Sequence, residues 1–283
     1  MTTVLISGLG LIGSSIARII REGDDTIEII GSDPNDDSSE FLLQHHIINS
    51  RAKFIDAVPN ADIIILAGPV SVIIQQIGVL SKLSLKPGAL ITDVGSTKQM
   101  IMDEAKKLNQ SDVGFMGGHP MAGSHLTGGK NGSSHLFSGS KYFLVTGSQT
   151  DRQLREFKRL MRLANVDWIT TSAVAHDKLV SELSHVPHVV SAALVNSIAD
   201  RLQTDPIGLK AAAGGFKSTT RIAASDPKMW TAIMLSNSKE ISSEIDEFQE
   251  ELRQLQEAIK TQDEKTIFET FAKAQKIRKS LDD

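Results

Sequence analysis

The chain has 283 residues, 40% of them apolar, a formal net charge of −4 and no cysteine. That length suits about two domains at roughly 150 residues each, and the mixed, slightly acidic charge excludes the basic stripe of a nucleic-acid binder. The composition also excludes disulfides, thiolate metal sites and cysteine nucleophiles. Without an apolar run of roughly 20 residues, and with no room for a signal peptide before the first strand, a cytoplasmic protein with no membrane or nucleic-acid partner is expected.

The first strand, Val4-Leu5-Ile6-Ser7, breaks into Gly8-Leu9-Gly10-Leu11-Ile12-Gly13 and resumes as a helix over about residues 14–21. In this Gly-x-Gly-x-x-Gly spacing Gly8 makes the tight turn, Gly10 lets the backbone approach a pyrophosphate, and Gly13 lets helix and strand pack closely. The pyrophosphate then sits on the helix N-terminus, around Leu11 and Ile12, where free N–H groups and the dipole favour an anion. Alone, the pattern is a weak signal. A second strand over residues 26–32 ends at Asp33, 20 residues past Gly13, where an acid is needed to hydrogen-bond the adenosine ribose. The competing reading of Asp33 is a turn aspartate before Pro34. Residues 34–37 contain no Arg or Lys, and the carboxylates of Asp33, Asp36 and Asp37 repel a 2′-phosphate, which favours NAD over NADP.

Residues 62–67 form a continuous apolar run, as a parallel strand buried on both faces requires. It stops at Gly68-Pro69, and a helix follows to about residue 81. The next strand, residues 89–94, ends in Gly95-Ser96-Thr97-Lys98 before a helix to about residue 108. This alternation predicts a Rossmann-type doubly wound parallel sheet. Ligands of such sheets bind beyond the carboxyl ends of the strands, so Gly68, Pro69, Gly95 and Ser96 are expected to line one crevice with Gly10. A strand over residues 113–116 delivers Gly117-Gly118-His119-Pro120-Met121-Ala122-Gly123-Ser124 there. Residues 117–139 show little periodicity, and a structureless segment of that length is expected to be functional or disordered. Strands over residues 141–146 and 166–170, flanking a helix over residues 151–163, finish the sheet.

Strand signals stop near residue 172. The division expected is therefore a nucleotide-binding domain, residues 1–172, and an all-helical domain, residues 173–283. The first long helix is interrupted at Ser184-His185-Val186-Pro187-His188, where Pro187 removes a donor and predicts a kink. Gly214-Gly215-Phe216-Lys217 breaks the pattern again. Ile241, Ile245, Phe248, Leu252, Leu255 and Ile259 then recur at steps of four and three, a heptad seam that suits packing within the subunit or across a dimer. The last helix, residues 264–279, carries Ile267, Phe268, Phe271 and Ile277 on one face.

His119, in a glycine-rich turn at a strand end facing the nicotinamide, has an unperturbed pKa of ~6.5 and suits the role of base toward a hydroxyl. His45, His46, His125 and His135 read as surface or loop residues. His176 beside Asp177 is either an orienting pair or a simple cap. His185 and His188 are spaced for one helix face, but no further ligand has convincing spacing, so no metal is expected. Arg221 and Lys217 either bind carboxylates or are solvated charges, Arg221 pairing with Asp226 in the second case.

In this order, the segments 8–13, 93–98, 118–124, 184–188, 214–217, Arg221 and 226–230 resemble the prephenate dehydrogenases of tyrosine biosynthesis and their arogenate-using relatives. The resemblance spans nearly the whole chain; the glycine turn is shared by many dehydrogenases, whereas the other segments are specific. It implies NAD-dependent oxidative decarboxylation of prephenate to 4-hydroxyphenylpyruvate. His119 accepts the hydroxyl proton by this resemblance, and Ser96 hydrogen-bonds the same hydroxyl. Arg221 holds a substrate carboxylate and His188 contacts the substrate side chain, with Ser184, Lys217 and Gly214 as supporting positions. Trp230 reaches a neighbouring subunit's site, implying a homodimer through the helical domain. Relatives with a fused chorismate mutase or a regulatory domain are longer, so any tyrosine feedback would have to act within these two domains. Arogenate dehydrogenase, another Rossmann hydride-transfer enzyme of the β-hydroxyacid or imine-reductase type, and a non-catalytic NAD sensor are the alternatives.

Overall fold

A computed structural model describes residues 1–108, 110, 112–123, 126–203 and 207–281. Ser124 and His125 lie outside the described residues. Apolar runs alternating with amphipathic helices build the first half: β1 (Thr3–Ser7), α1 (Leu11–Gly23), β2 (Glu28–Ser32), α2 (Asp36–Gln44), β3 (Ser50–Arg51), α3 (Phe54–Ala57), β4 (Ile63–Leu66), α4 (Val70–Leu80), β5 (Leu90–Asp93), α5 (Gln99–Ala105), β6 (Gly114–Pro120), β7 (Lys141–Val145), α6 (Asp151–Leu160) and β8 (Asp167–Thr171). The strands form one sheet in the order β3-β2-β1-β4-β5-β6-β7-β8. The order reverses between β1 and β4, and a ligand crevice is expected beyond their carboxyl ends.

Strand alternation distributes the core over the two faces. Val4 and Ile6 join Ile16, Ile20 and Phe157 on one side, while Leu5 and Ile64 join Ile73, Ile77 and Ile101 on the other. α6 is fastened by a capping box in which the Thr150 hydroxyl accepts from Gln153 N–H and the Gln153 side chain accepts from Thr150 N–H. α2 and β3 were not expected from the sequence. Asn35 caps α2 by accepting from the amides of Asp37 and Ser38, so the segment read as a turn starts a helix.

The sheet is mixed rather than wholly parallel. β6 pairs parallel with β5 through residues 114–116 and antiparallel with β7 through residues 117–120, and β8 follows β7 in parallel. The glycine pair expected to begin a loop is thus strand. At Gly118 a Cβ would stand 2.5 Å from the Asp93 carbonyl oxygen, so only glycine lets β6 run past the end of β5. The remainder of the expected loop is anchored at several points. Arg18 donates to the Gly129 carbonyl (3.1 Å), Gly129 N–H to Ser38 Oγ (3.1 Å) and Ser133 N–H to Ser15 Oγ (3.0 Å).

From Ala173 onward the structure is helical: α7 (Ala173–Val180), a π-helical turn (Ser181–His185), α8 (Val186–Gln203), α9 (Gly214–Thr219), α10 (Pro227–Ser236), α11 (Ser238–Lys260) and α12 (Glu264–Lys279). The kink expected at Pro187 is a π turn immediately before it. A widened turn accommodates a proline that cannot donate to the carbonyl four residues back. α10 starts with Pro227 behind an Asp226 cap whose carboxylate accepts from Met229 N–H (2.7 Å).

Candidate active site

The turn after β1 is shaped by missing side chains. Gly8 has φ +95°, and a Cβ there would lie 2.7 Å from the Ala67 carbonyl; at Gly13 a Cβ would overlap the Gly8 carbonyl oxygen at 1.9 Å. At Gly10 nothing lies within 4 Å of the added Cβ, and as N-cap it offers no side chain to α1. The first-turn amides of Leu11, Ile12 and Gly13 are therefore left for an anion. The Asp33 carboxylate secures the turn by accepting Leu9 N–H with one oxygen and Asn35 N–H (2.7 Å) with the other. It borders a cleft of about 420 Å³ with Pro34, Arg51, Lys53 and Phe54. An open helix N-terminus and an acid beside an adjoining cleft fit the pyrophosphate and ribose of a dinucleotide.

Arg51 and Lys53 escape sequence reading because β3, not the segment after Asp33, brings them to that cleft. Arg51 is engaged by two acids of α2, 3.1 Å from Glu40 and 3.7 Å from Asp36. Gly68 and Pro69 follow β4, and Gly95 and the half-buried Ser96 follow β5, at the same end of the sheet as Gly10. Gly95 N–H donates to the Asp93 carboxylate (2.7 Å).

Beneath this end lies a buried polar cluster. The Lys98 ammonium has no solvent exposure; it pairs with Asp93 and donates to the Gly118 carbonyl (2.7 Å). Burial lowers its proton affinity, with Asp93 opposing. Asp177 on α7 ties the sheet to the helices, because its carboxylate accepts the amides of Lys98 (2.7 Å) and Gln99 (2.8 Å). Asn237, between α10 and α11, donates to the Asp177 carbonyl (2.8 Å) and approaches His185 Nδ1 (3.2 Å).

His119 stands on β6, 9% exposed, with Nδ1 2.9 Å from His176 Nε2. The His176 ring is buried against Phe143, and its Nδ1 lies 2.8 Å from Asp177 Oδ1. His176 and Asp177 thus form a contacting pair that reaches His119, while the cap of α7 is the Ser172 hydroxyl, which accepts Ala175 N–H (3.2 Å). Burial, reinforced by His176, Lys98 and His185, holds the His119 imidazole well below the ordinary histidine pKa. Burial also lowers His176, against the pull of Asp177. The sequence leaves His176 and Asp177 even between two roles, since a His-Asp step within a helix is ordinary until its burial is known.

The helical side contributes a second group. His185 is buried and pushed down to about 4, chiefly by desolvation. His188 Nδ1 donates to the Ser184 carbonyl (2.8 Å), and its ring stacks on Trp230 with centroids 3.6 Å apart. Trp230 also meets His185 edge-on at 6.0 Å, so one indole joins both histidines. This stacking lies within one chain and holds Trp230 at its own subunit's histidines. Desolvation lowers His188, and nearby Arg221 lowers it further. Arg221 is exposed and forms no ion pair with Asp226 among the described residues, because that carboxylate caps α10. Gly214 and Lys217 lie exposed on α9, and among the described residues no side-chain bond ties Lys217 to the histidines. The desolvated histidine pair is thus biased neutral, and Arg221 carries the charge beside it.

Residues 16–170 match the family described as prephenate dehydrogenase, nucleotide-binding domain, and residues 172–273 match prephenate dehydrogenase, dimerization domain. The chain is 37% identical to a prephenate dehydrogenase of Bacillus subtilis over 281 residues, covering 99% of this chain and 76% of that protein. Its fold matches, with a TM-score of 0.90 and 31% identity, a crystal structure of prephenate dehydrogenase from Aquifex aeolicus in complex with hydroxyphenyl propionate and NAD+, covering 99% of this chain and 98% of the other. A Synechocystis arogenate dehydrogenase matches at a TM-score of 0.84 and 26% identity, covering 99% and 100%.

Proposed function

The chain belongs to the prephenate dehydrogenase family, and from that premise we propose that it oxidatively decarboxylates prephenate to 4-hydroxyphenylpyruvate with NAD, a step of tyrosine biosynthesis. Bound at the Gly8–Gly13 turn, NAD supplies the hydride acceptor. His119 takes the proton of the ring hydroxyl at Nε2, and Ser96 hydrogen-bonds that hydroxyl. The carbon-bound hydrogen leaves as hydride, the electrons of the ring–carboxylate bond restore aromaticity as carbon dioxide departs, and His119 Nε2 returns the proton to the product's phenolate oxygen. With its proton affinity lowered by burial, His119 is a free base at neutral pH.

Arg221 holds a substrate carboxylate through its planar fork, with Lys217 and Gly214 on α9 completing the mouth. His188, kept in place by Ser184 and Trp230, contacts the side chain as a neutral partner. The helical segment, residues 173–283, is the substrate-binding and dimerisation domain of a homodimer, and residues 1–172 are the cofactor domain. One observation carries this reading: His119 is held at the cofactor end of the sheet with Nδ1 engaged, while Nε2 has no partner among the described residues.

The test is NADH formation with prephenate, arogenate and a panel of β-hydroxy acids, each with NAD and with NADP. Turnover of prephenate with NAD is the expected result. Turnover of arogenate alone would move the assignment to the related enzyme, and turnover of neither would overturn it.

A further inference from the structure

We propose that His176 and Asp177 are positioning residues that fix His119 in the Nδ1–H tautomer and so present Nε2 to the substrate hydroxyl as a bare base. The inference rests on the reading of His119 as the base and concerns how this fold prepares it.

The Asp177 carboxylate accepts two backbone amides, from Lys98 and Gln99, which only donate. The buried Lys98 ammonium contributes a favourable charge nearby. Asp177 is therefore an ionised acceptor, and the nitrogen 2.8 Å from its Oδ1, His176 Nδ1, must carry a hydrogen. A buried His176 is neutral, so a hydrogen on Nδ1 leaves a lone pair on Nε2. Facing that lone pair at 2.9 Å, His119 Nδ1 must be the donor, which leaves its Nε2 free of hydrogen. The reverse polarity would require an imidazolium at His176, without solvent and near the Lys98 ammonium.

The same chain serves the charged state. Once Nε2 has taken the hydroxyl proton, the imidazolium keeps its Nδ1–H bond to His176, which remains bonded to the Asp177 carboxylate; no further proton moves. The relay is also split between the two halves of the molecule. His119 and the two amides come from the sheet, whereas His176 and Asp177 come from α7 and are keyed by Asn237. The base therefore acquires its tautomer only when the helices are docked on the sheet.

The test compares wild type with His176→Leu and His176→Gln. Leucine removes the acceptor without burying a new polar group. Glutamine can present its amide oxygen to His119 Nδ1–H. The charged and titratable groups around His119 are His176 and Asp177 on α7, His185 on the π turn, Asp93 at the end of β5, Lys98 after it, and Tyr142 on β7.

For His176→Leu, kcat is expected to fall at least about 100-fold, the scale of a lost general base, with KM for prephenate and NAD within about threefold. Its kcat/KM should keep rising with pH, where wild type levels off above the His119 titration. His176→Gln should recover kcat to within about tenfold of wild type, since hydrogen-bond direction rather than ring shape is what matters. Nitrogen NMR of the ligand-free protein should show His119 protonated at Nδ1 in wild type and shifted toward Nε2 in His176→Leu, at matched thermal stability. A His176→Leu enzyme with wild-type kcat and pH profile, or a wild-type His119 protonated at Nε2, would overturn the proposal. Absence of prephenate turnover in wild type would overturn the functional reading instead, and the NMR comparison would still decide the tautomer.

Discussion

The two halves of the molecule solve the burial problem differently. In the sheet half, Ile6, Ile20 and Phe157 on one face and Ile73, Ile77 and Ile101 on the other are sealed from solvent. In the helical half Val180, Val186, Ile233, Ile241 and Ala258 are buried, while Leu235 (72% exposed), Phe268 (71%) and Phe271 (63%) face outward. The heptad seam is divided in the same way. Ile241 is buried against the chain's own helices, Ile245, Phe248 and Leu255 are half-buried, and Leu252 and Ile259 are exposed. A doubly wound sheet covers its own apolar surface. A sparse helical layer leaves apolar surface exposed, which suits the proposed homodimer.

The strongest way to test the division of labour is at the base. His119→Asn should lower kcat roughly 1000-fold and change KM by less than about threefold, measured as NADH formation, because the interaction grows with charge in the transition state. An unchanged kcat would remove the sheet half from proton transfer. Next in size, Phe157→Ala should cost about 3–5 kcal/mol of stability at every protein concentration, read by denaturant unfolding.

The double change Phe268→Glu with Phe271→Glu should act only through association. Wild-type Tm should rise with protein concentration, whereas the variant should show a lower, flat Tm and sediment as a monomer. A variant that remains dimeric would mean that the exposed face of α12 is not the contact. On the substrate side, Arg221→Gln should raise KM for prephenate roughly 10- to 100-fold with little change in kcat, the value of a charge-assisted hydrogen bond. An unchanged KM would show that Arg221 is a solvated charge.

The smallest effect concerns acid. His185 is held down to about 4 from 6.5, so the unfolded chain binds this proton first as pH falls. Its stabilising effect is complete above about 6.5 and is lost progressively from there down to about 4. Between pH 7 and 5.5, His185→Asn should therefore lose about 1 kcal/mol less stability than wild type, as one histidine's linkage requires. Parallel Tm curves for the two proteins would exclude that contribution.

Features decided within a few residues were legible in advance. The turn at Gly8, the strands on either side of it and the acid at Asp33 follow from local periodicity and turn chemistry, and the structure has them. Where packing between distant segments decided, the reading was incomplete. The glycines before His119 read as a loop, but they are strand because their bare backbone passes Asp93 closely. Pro187 was read as a kink and is absorbed by a π turn. The spacing of His185 and His188 leaves their charge open, and they are biased neutral because they are desolvated.

A dinucleotide turn, a histidine at a strand end and a helical second half are legible in the chain because each is written in contiguous residues. Long-range packing is what sets His119 against a histidine 57 positions away and Lys98 N–H against an aspartate 79 positions away. Tautomer, burial and charge state depend on which groups exclude water from one another. That is settled when the helices dock on the sheet.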